Sequence, residues 1–293
     1  MNLVTILLTL LGLSALYFVV MWALDIIKNK GEVGEDSNPI VGFVIGFVTD
    51  FMDTLGIGSF APTTLLAKVT GFIKNDRFLP GTLNIGHTIP VLIEAFLFIH
   101  SVKVDAVTLL SMIISAVVGA LIGGRIVTKL PEKKIQIVMG FALLITAGLM
   151  FASKMGWLAL LGANNTALHL TGIALVVGVV GNFIFGALMM AGVGLYAPCL
   201  AMVSLLGMDP KAAFPIMMGS CAALMAIGSP KFIKEGLYPR KGTIGLAIGG
   251  ILGVIVGYQF ITSLSLNSLL WLIIVVVVIT GFDMLRKGLK KAA

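Results

Sequence analysis

Asp50 and Asp53 lie one helical turn apart inside an apolar stretch, and Lys68 follows in the next one. Charge inside hydrocarbon is expensive, so it is either paired or functional. Lys68 can attract an anion while a carboxylate carries a coupling proton; alternatively it is the structural partner of Asp50 or Asp53. Further on, Thr82, Asn84 and His87 share one predicted helix, and Ser220 answers Thr82 far downstream. Hydroxyl and amide donors suit an oxyanion, although a Thr or Ser hydroxyl can equally bond its own helix backbone. His87 is a candidate proton relay, or it is simply packed. Glu94, with His100 and Lys103 just beyond it, reads as interfacial and completes the proton-coupling candidates Asp50, Asp53, His87 and Glu94. Cys199 and Cys221 sit beside a second candidate site as small packed residues near enough to touch a ligand.

The element that must position these groups is a glycine-rich break occurring twice, as Leu55-Gly56-Ile57-Gly58-Ser59-Phe60-Ala61-Pro62 and Ala191-Gly192-Val193-Gly194-Leu195-Tyr196-Ala197-Pro198, with the two prolines 136 residues apart. Glycine relaxes the backbone and proline removes a donor, so each copy should interrupt a helix. In lipid an interrupted backbone is tolerated only where protein covers it or where it lines a cavity, and such breaks mark binding sites in transporters. A helix restarting at Pro62 or Pro198 presents unsatisfied amides and the positive end of its dipole, which is an anion site without an arginine. The predicted substrate-binding set is therefore Gly56, Gly58, Ser59, Phe60, Lys68, Thr82 and Asn84 from the first half, with Gly192, Gly194, Tyr196, Cys199 and Ser220 from the second.

Composition fixes the class. The 293 residues are 58% hydrophobic and 11% charged, with a mean hydropathy of +1.09, which indicates an integral membrane protein. The net charge of +7 comes from basic clusters beside apolar segments, where membrane topology explains it without nucleic acid. Residues 1–24 lack a basic leader and a small-residue cleavage site, so they read as a retained transmembrane helix. A polar linker leads from it into a first unit, 39–153, and a second, 154–293, repeats the order of segments. The segments flanking the first break, Ile40–Thr54 and Pro62–Phe72, are shorter than the ~20 residues a helix needs to cross the bilayer, and so suit a re-entrant hairpin. Phe78–Ile99 and Ala212–Ile233 read as long apolar stretches. Glycines four residues apart, such as Gly42 and Gly46, Gly119 and Gly123, or Gly249, Gly253 and Gly257, allow close helix packing. If each hairpin returns to the side it entered, 17 of the 20 Lys and Arg residues fall on the cytoplasmic side. Each unit then has odd parity, and the second copy is inverted relative to the first.

Two Gly-x-Gly-x-x-x-Pro breaks, each followed by a glycine (Gly71, Gly207) and then Gly81-Thr82 or Gly219-Ser220, resemble the TauE/SafE sulfite exporter family of prokaryotic permeases. The turn Gly123-Gly124-Arg125-Ile126-Val127-Thr128-Lys129-Leu130-Pro131 is similar to that family's as well. The resemblance covers about residues 40 to 285, everything but the first helix. Where the family carries a glycine triplet, this chain has Gly58-Ser59-Phe60 and Gly194-Leu195-Tyr196, which puts bulk beside the site. The resemblance implies transport of sulfite, organosulfonates or related small oxyanions, using an ion gradient.

The expected architecture is an all-α integral membrane protein, an inverted-repeat transporter whose two broken-helix hairpins meet near the midplane, with one extra N-terminal helix. The expected location is a prokaryotic inner membrane, with the N-terminus outside and the C-terminus cytoplasmic. The partners are a small anion, the lipid bilayer and a proton as coupling ion; a homo-oligomer stays open, and no cofactor or metal is implied. Two other classes remain, an intramembrane enzyme using Asp50, Asp53 and His87 as acid-base groups and a non-transporting subunit. No soluble catalytic signature accompanies the apolar segments.

Overall fold

A computed structural model describes residues 3–29, 37–55, 57–98, 104–157, 164–260 and 267–290. Its elements are helical, and seven helical stretches among the described residues are long and apolar enough to cross a membrane. Helix α1 spans Leu3–Lys28, α2 Pro39–Thr54, α3 Phe60–Val69, α4 Leu79–Gly86, α5 Thr88–Phe98, α6 Ala106–Val127 and α7 Glu132–Lys154. The second half holds α8 Gly172–Met189, α9 Tyr196–Leu205, α10 Ala213–Gly228, α11 Pro230–Lys234, α12 Arg240–Phe260 and α13 Asn267–Leu289.

Local chemistry sets the helix ends. Asn38 caps α2 by accepting from the Ile40 amide at 2.8 Å, with Pro39 in the first turn where its missing donor is harmless. Asp105 caps α6 through the amides of Val107 and Thr108. The stretches Phe78–Ile99 and Ala212–Ile233, which the sequence presents as unbroken, are each interrupted, at His87 and at Ser229. Pro90 and Pro230 explain this, since each lacks an amide and its ring crowds the carbonyl four residues back, at Gly86 and Ala226.

Both glycine breaks separate two helices as expected, α2 from α3 and α8 from α9; the helices at the first are short, whereas α8 is itself long and apolar enough to cross a membrane. The ends of each hairpin lie together: the Ser37 hydroxyl donates to the Phe72 carbonyl, and the Asn165 amide donates to the carbonyls of Ser204 and Met208. The two pairs of ends occupy opposite ends of the molecule. The first neighbours Asp76, Glu132 and Gln136, whereas the second neighbours Asp105, whose amide donates to Leu168.

Packing between the halves is reciprocal. Helix α2 lies along α12 and α6 along α8; α10 packs on α6, and α12 packs on α4 and α5. Helix α7 pairs with α13, while α3 meets α13 and α9 meets α7. Exchanging the halves leaves this pattern unchanged. Glycines permit the tightest contacts: a side chain at Gly42 would strike the Gly242 carbonyl, one at Gly249 that of Phe43, and one at Gly119 that of Phe183. Helix α1 buries Leu7, Leu11, Phe18 and Trp22 and packs against α5, α10 and α11. Its Asp25 accepts from Arg240 Nε at 2.8 Å, which ties the helix to the start of α12.

Candidate functional site

The two breaks share one backbone hydrogen-bond pattern. In the first, the amides of Leu55 and Ile57 both donate to the Met52 carbonyl, at 3.2 and 3.1 Å; in the second, those of Ala191 and Val193 donate to the Leu188 carbonyl, at 2.9 and 3.2 Å. Each following helix opens with a donation to the residue before it, Thr63 to Ser59 and Cys199 to Leu195. In both, the first-turn amides lack intrahelical acceptors.

The breaks face one another across a cavity of about 40 Å³, lined by Gly58, Ser59 and Phe60 from the first and by Gly194, Leu195 and Tyr196 from the second. That volume holds about three water molecules, the scale of one small ion. Asp53 is its charged lining residue, Thr146 adds a hydroxyl, and Val91, Met150 and Met189 supply apolar surface. Ser59 hydrogen-bonds the Asp53 carboxyl through both its hydroxyl and its amide. Asp53 is buried, and its Oδ1 has no partner among the described residues.

Beside the cavity runs a buried polar chain. Asp50 accepts from His87 Nδ1, with its two oxygens at 2.8 and 2.9 Å, and His87 Nε2 lies 2.9 Å from the Thr63 hydroxyl. An ionised carboxylate can only accept, so Nδ1 carries a proton, and a neutral ring then receives the Thr63 proton at Nε2. Glu94 accepts from Thr54 at 2.9 Å and from the Tyr196 phenol at 3.2 Å. Asp50, Asp53, His87 and Glu94 are all at most 2% exposed, so the four proton-coupling candidates share one dry region.

Several expectations need correction. Glu94 is fully buried between the hairpins instead of interfacial, because the kink at His87 and the tip of the first hairpin enclose it. Lys68 reaches neither the cavity nor Asp50 or Asp53. It occupies the last turn of α3 and pairs with Asp76, a buried carboxylate that also accepts from Gln136. Thr82 donates to the Phe78 carbonyl within its own chain turn, so its hydroxyl serves the backbone. Asn84 donates to the carbonyls of Pro80 and Met189, and the second of these contacts caps the C-terminal end of α8 beside the second break. Ser220 accepts from Asn182 at 2.9 Å, away from the cavity. Cys199 is buried, and the Cys221 thiol lies 3.7 Å from the Met189 sulfur. Gly192 turns the chain with φ +95° and packs near Met139 and Leu83. Gly56, His100 and Lys103 lie outside the described residues.

The sequence reading missed Thr54, Thr63 and Asn182. Asn182 stands alone in an apolar helix, and that isolation was an available signal, whereas Thr54 adjoins Asp53 and Thr63 adjoins Thr64. No curated protein and no solved structure matches the chain. A family model, Sulfite exporter TauE/SafE, matches residues 2–154, just over half the chain. The match takes in α1, which the sequence resemblance had left out, and stops at the end of α7. With two glycine breaks of one hydrogen-bond pattern around a shared cavity, the chain belongs to the TauE/SafE sulfite exporter family.

Proposed function

We propose that this chain is a secondary transporter carrying a small sulfur oxyanion, sulfite or an organosulfonate, by alternating access in a prokaryotic inner membrane. The observation that carries the reading is the cavity, where two broken helices bring their first turns to one partly open space large enough for a single small ion. Reciprocal packing of the halves and hairpin ends at opposite ends of the molecule support an inverted repeat of units 39–153 and 154–293, with re-entrant hairpins. The end holding Lys68, Arg240 and Lys290 is rich in basic residues, which supports a cytoplasmic C-terminus and an N-terminus outside.

The charge at the site supports a proton as the coupling ion. No Lys or Arg is among the residues lining the cavity, and Asp53 is. An oxyanion in so small a volume is opposed by an ionised Asp53, because like charges a few ångströms apart repel strongly where burial lowers the dielectric. A proton on Asp53 removes the repulsion and turns the carboxyl into a donor. In this scheme anion and proton enter together, the amides of α3 and α9 hold the oxyanion, and Ser59 orients the Asp53 carboxyl. Asp50, held by His87, stays outside the cavity as the neighbouring proton acceptor.

One observation favours an enzyme: Thr63, His87 and Asp50 form a hydroxyl–imidazole–carboxylate series. Thr63 is fully buried and lines no part of the cavity, so an acyl substrate held there does not meet its hydroxyl. The test uses purified protein. Sulfite, thiosulfate, sulfonates and carboxylates are screened by thermal shift, since ligand binding to the folded state raises its stability. Sulfite-loaded proteoliposomes with a pH dye then report coupled proton movement. Stabilisation by sulfite, with flux and proton movement both lost in Asp53→Asn, is the expected result. Sulfite flux without a pH change would overturn the coupling, and stabilisation by carboxylates alone would overturn the substrate class.

A further inference from the structure

Glu94 receives one hydrogen bond from each hairpin. The Thr54 hydroxyl, on the last residue of α2, shares its one proton between Oε1 at 2.9 Å and the Asp50 carbonyl at 2.8 Å, and Tyr196, the first residue of α9, donates to Oε2 at 3.2 Å. The carboxyl is fully buried on α5, a helix that belongs to neither hairpin. Glu94 does not line the cavity, whereas Tyr196 does.

We propose that Glu94 is a positioning residue for transport: it latches the Tyr196 phenol over the cavity and, through Thr54, locks the tips of the two hairpins together, so that the cavity exchanges its contents only when the Glu94–Tyr196 hydrogen bond breaks. The inference rests on the reading of the cavity as the transport site. Alternating access moves one half of the molecule against the other, and any contact joining the tips must be remade in each cycle. This contact suits that duty. It links residues from opposite halves through a single carboxyl, and removing one donor leaves a buried acceptor unpaired, which shifts an opening equilibrium by about tenfold. The second hairpin supplies the phenol where the first has Phe60, so only one of the two tips can be latched this way.

The test reads opening without a substrate. In full-length protein carrying Cys199→Ala and Cys221→Ala, the cavity-lining change Ala61→Cys supplies a single thiol, whose modification by a small maleimide is timed in detergent and in vesicles. Tyr196→Phe, which keeps the ring and removes the hydroxyl, should raise the rate about tenfold. Glu94→Ala should match it, Glu94→Gln should fall between because the amide oxygen still accepts, and Tyr196→Phe with Glu94→Ala together should go no further than either alone. Where Glu94→Ala fails to fold, Tyr196→Phe and Glu94→Gln carry the comparison. Unchanged labelling in folded Tyr196→Phe, or multiplying effects in the double variant, would overturn the latch. Sulfite flux is measured in parallel: faster labelling without flux keeps the latch and rejects the substrate, whereas flux with unchanged labelling does the reverse.

Discussion

At the first break two amides converge on the Met52 carbonyl and at the second two amides converge on that of Leu188, yet the side chains around these matching turns have little in common. The first hairpin carries Asp50, Asp53, Ser59 and Thr63 where the second carries Gly186, Met189, Leu195 and Cys199. A turn built from glycine freedom and backbone hydrogen bonds tolerates either set. Shape and chemistry have therefore separated: both hairpins form one cavity, and the first supplies its carboxylate and its serine, the second its phenol. Backbone amides from both sides remain available to an anion, while the buried carboxylates Asp50 and Asp53 belong to the first hairpin only.

The strongest way to break this comparison is to remove the charge that the second hairpin lacks. Asp50→Ala leaves the buried His87 imidazole without its acceptor, and breaking a buried pair by deleting one partner costs roughly 3–5 kcal/mol. Adding His87→Leu should return part of the loss, because the imidazole is then no longer stranded and the Thr63 hydroxyl is the group left without its partner. Thermal unfolding in detergent measures both. A double variant as unstable as Asp50→Ala would mean that the acid shapes the first hairpin itself, and the separation of shape from chemistry would fail.

A smaller effect is expected at Lys68, which the sequence reading placed with the substrate. Lys68→Met strands the buried Asp76, whose remaining partner is the Gln136 amide; because the Lys68 side chain is 18% exposed, water offsets part of the penalty, leaving about 2–3 kcal/mol. Asp76→Asn on that background should restore stability, and sulfite binding by thermal shift should be unchanged in both. Weakened binding in a protein of normal stability would return Lys68 to the transport path.

These cases separate what spacing encodes from what it does not. The hairpins were legible because Gly58, Pro62, Gly192 and Pro198 act locally, on their own backbone and within a turn or two. Helix contacts at Gly42, Gly119 and Gly249 were legible for a similar reason, since a small residue repeated on one face needs only some close neighbour. Partners were not legible. Lys68 meets Asp76 because the chain folds back after Gly71, which has φ +64°, and no helical period reports where that reversal ends. Glu94 looked interfacial on an unbroken helix; its depth depends on the kink at His87 and on a phenol from the opposite half of the chain.

The smallest predicted effect sharpens the comparison at matched positions. Gly58 and Gly194 are equivalent in the duplication, both line the cavity, and a methyl group added to either meets nothing within 4 Å. They differ only in backbone: Gly58 has φ +88°, whereas in the second break the positive φ falls at Gly192 and Gly194 keeps a negative one. Gly58→Ala should therefore destabilise by about 1–2 kcal/mol, the cost of forcing an L-residue into the left-handed region. Gly194→Ala meets no such strain and narrows the unfolded ensemble, so it should be neutral or stabilise by up to about 1 kcal/mol. Gly192→Ala should cost more than Gly58→Ala, because its methyl would also approach the Met139 Cε to 2.8 Å. Melting temperatures of the three variants in one detergent decide the order. Equal losses at Gly58 and Gly194 would show that the two turns share more strain than their dihedrals indicate, and that the second tip adopts the first tip's conformation during the transport cycle.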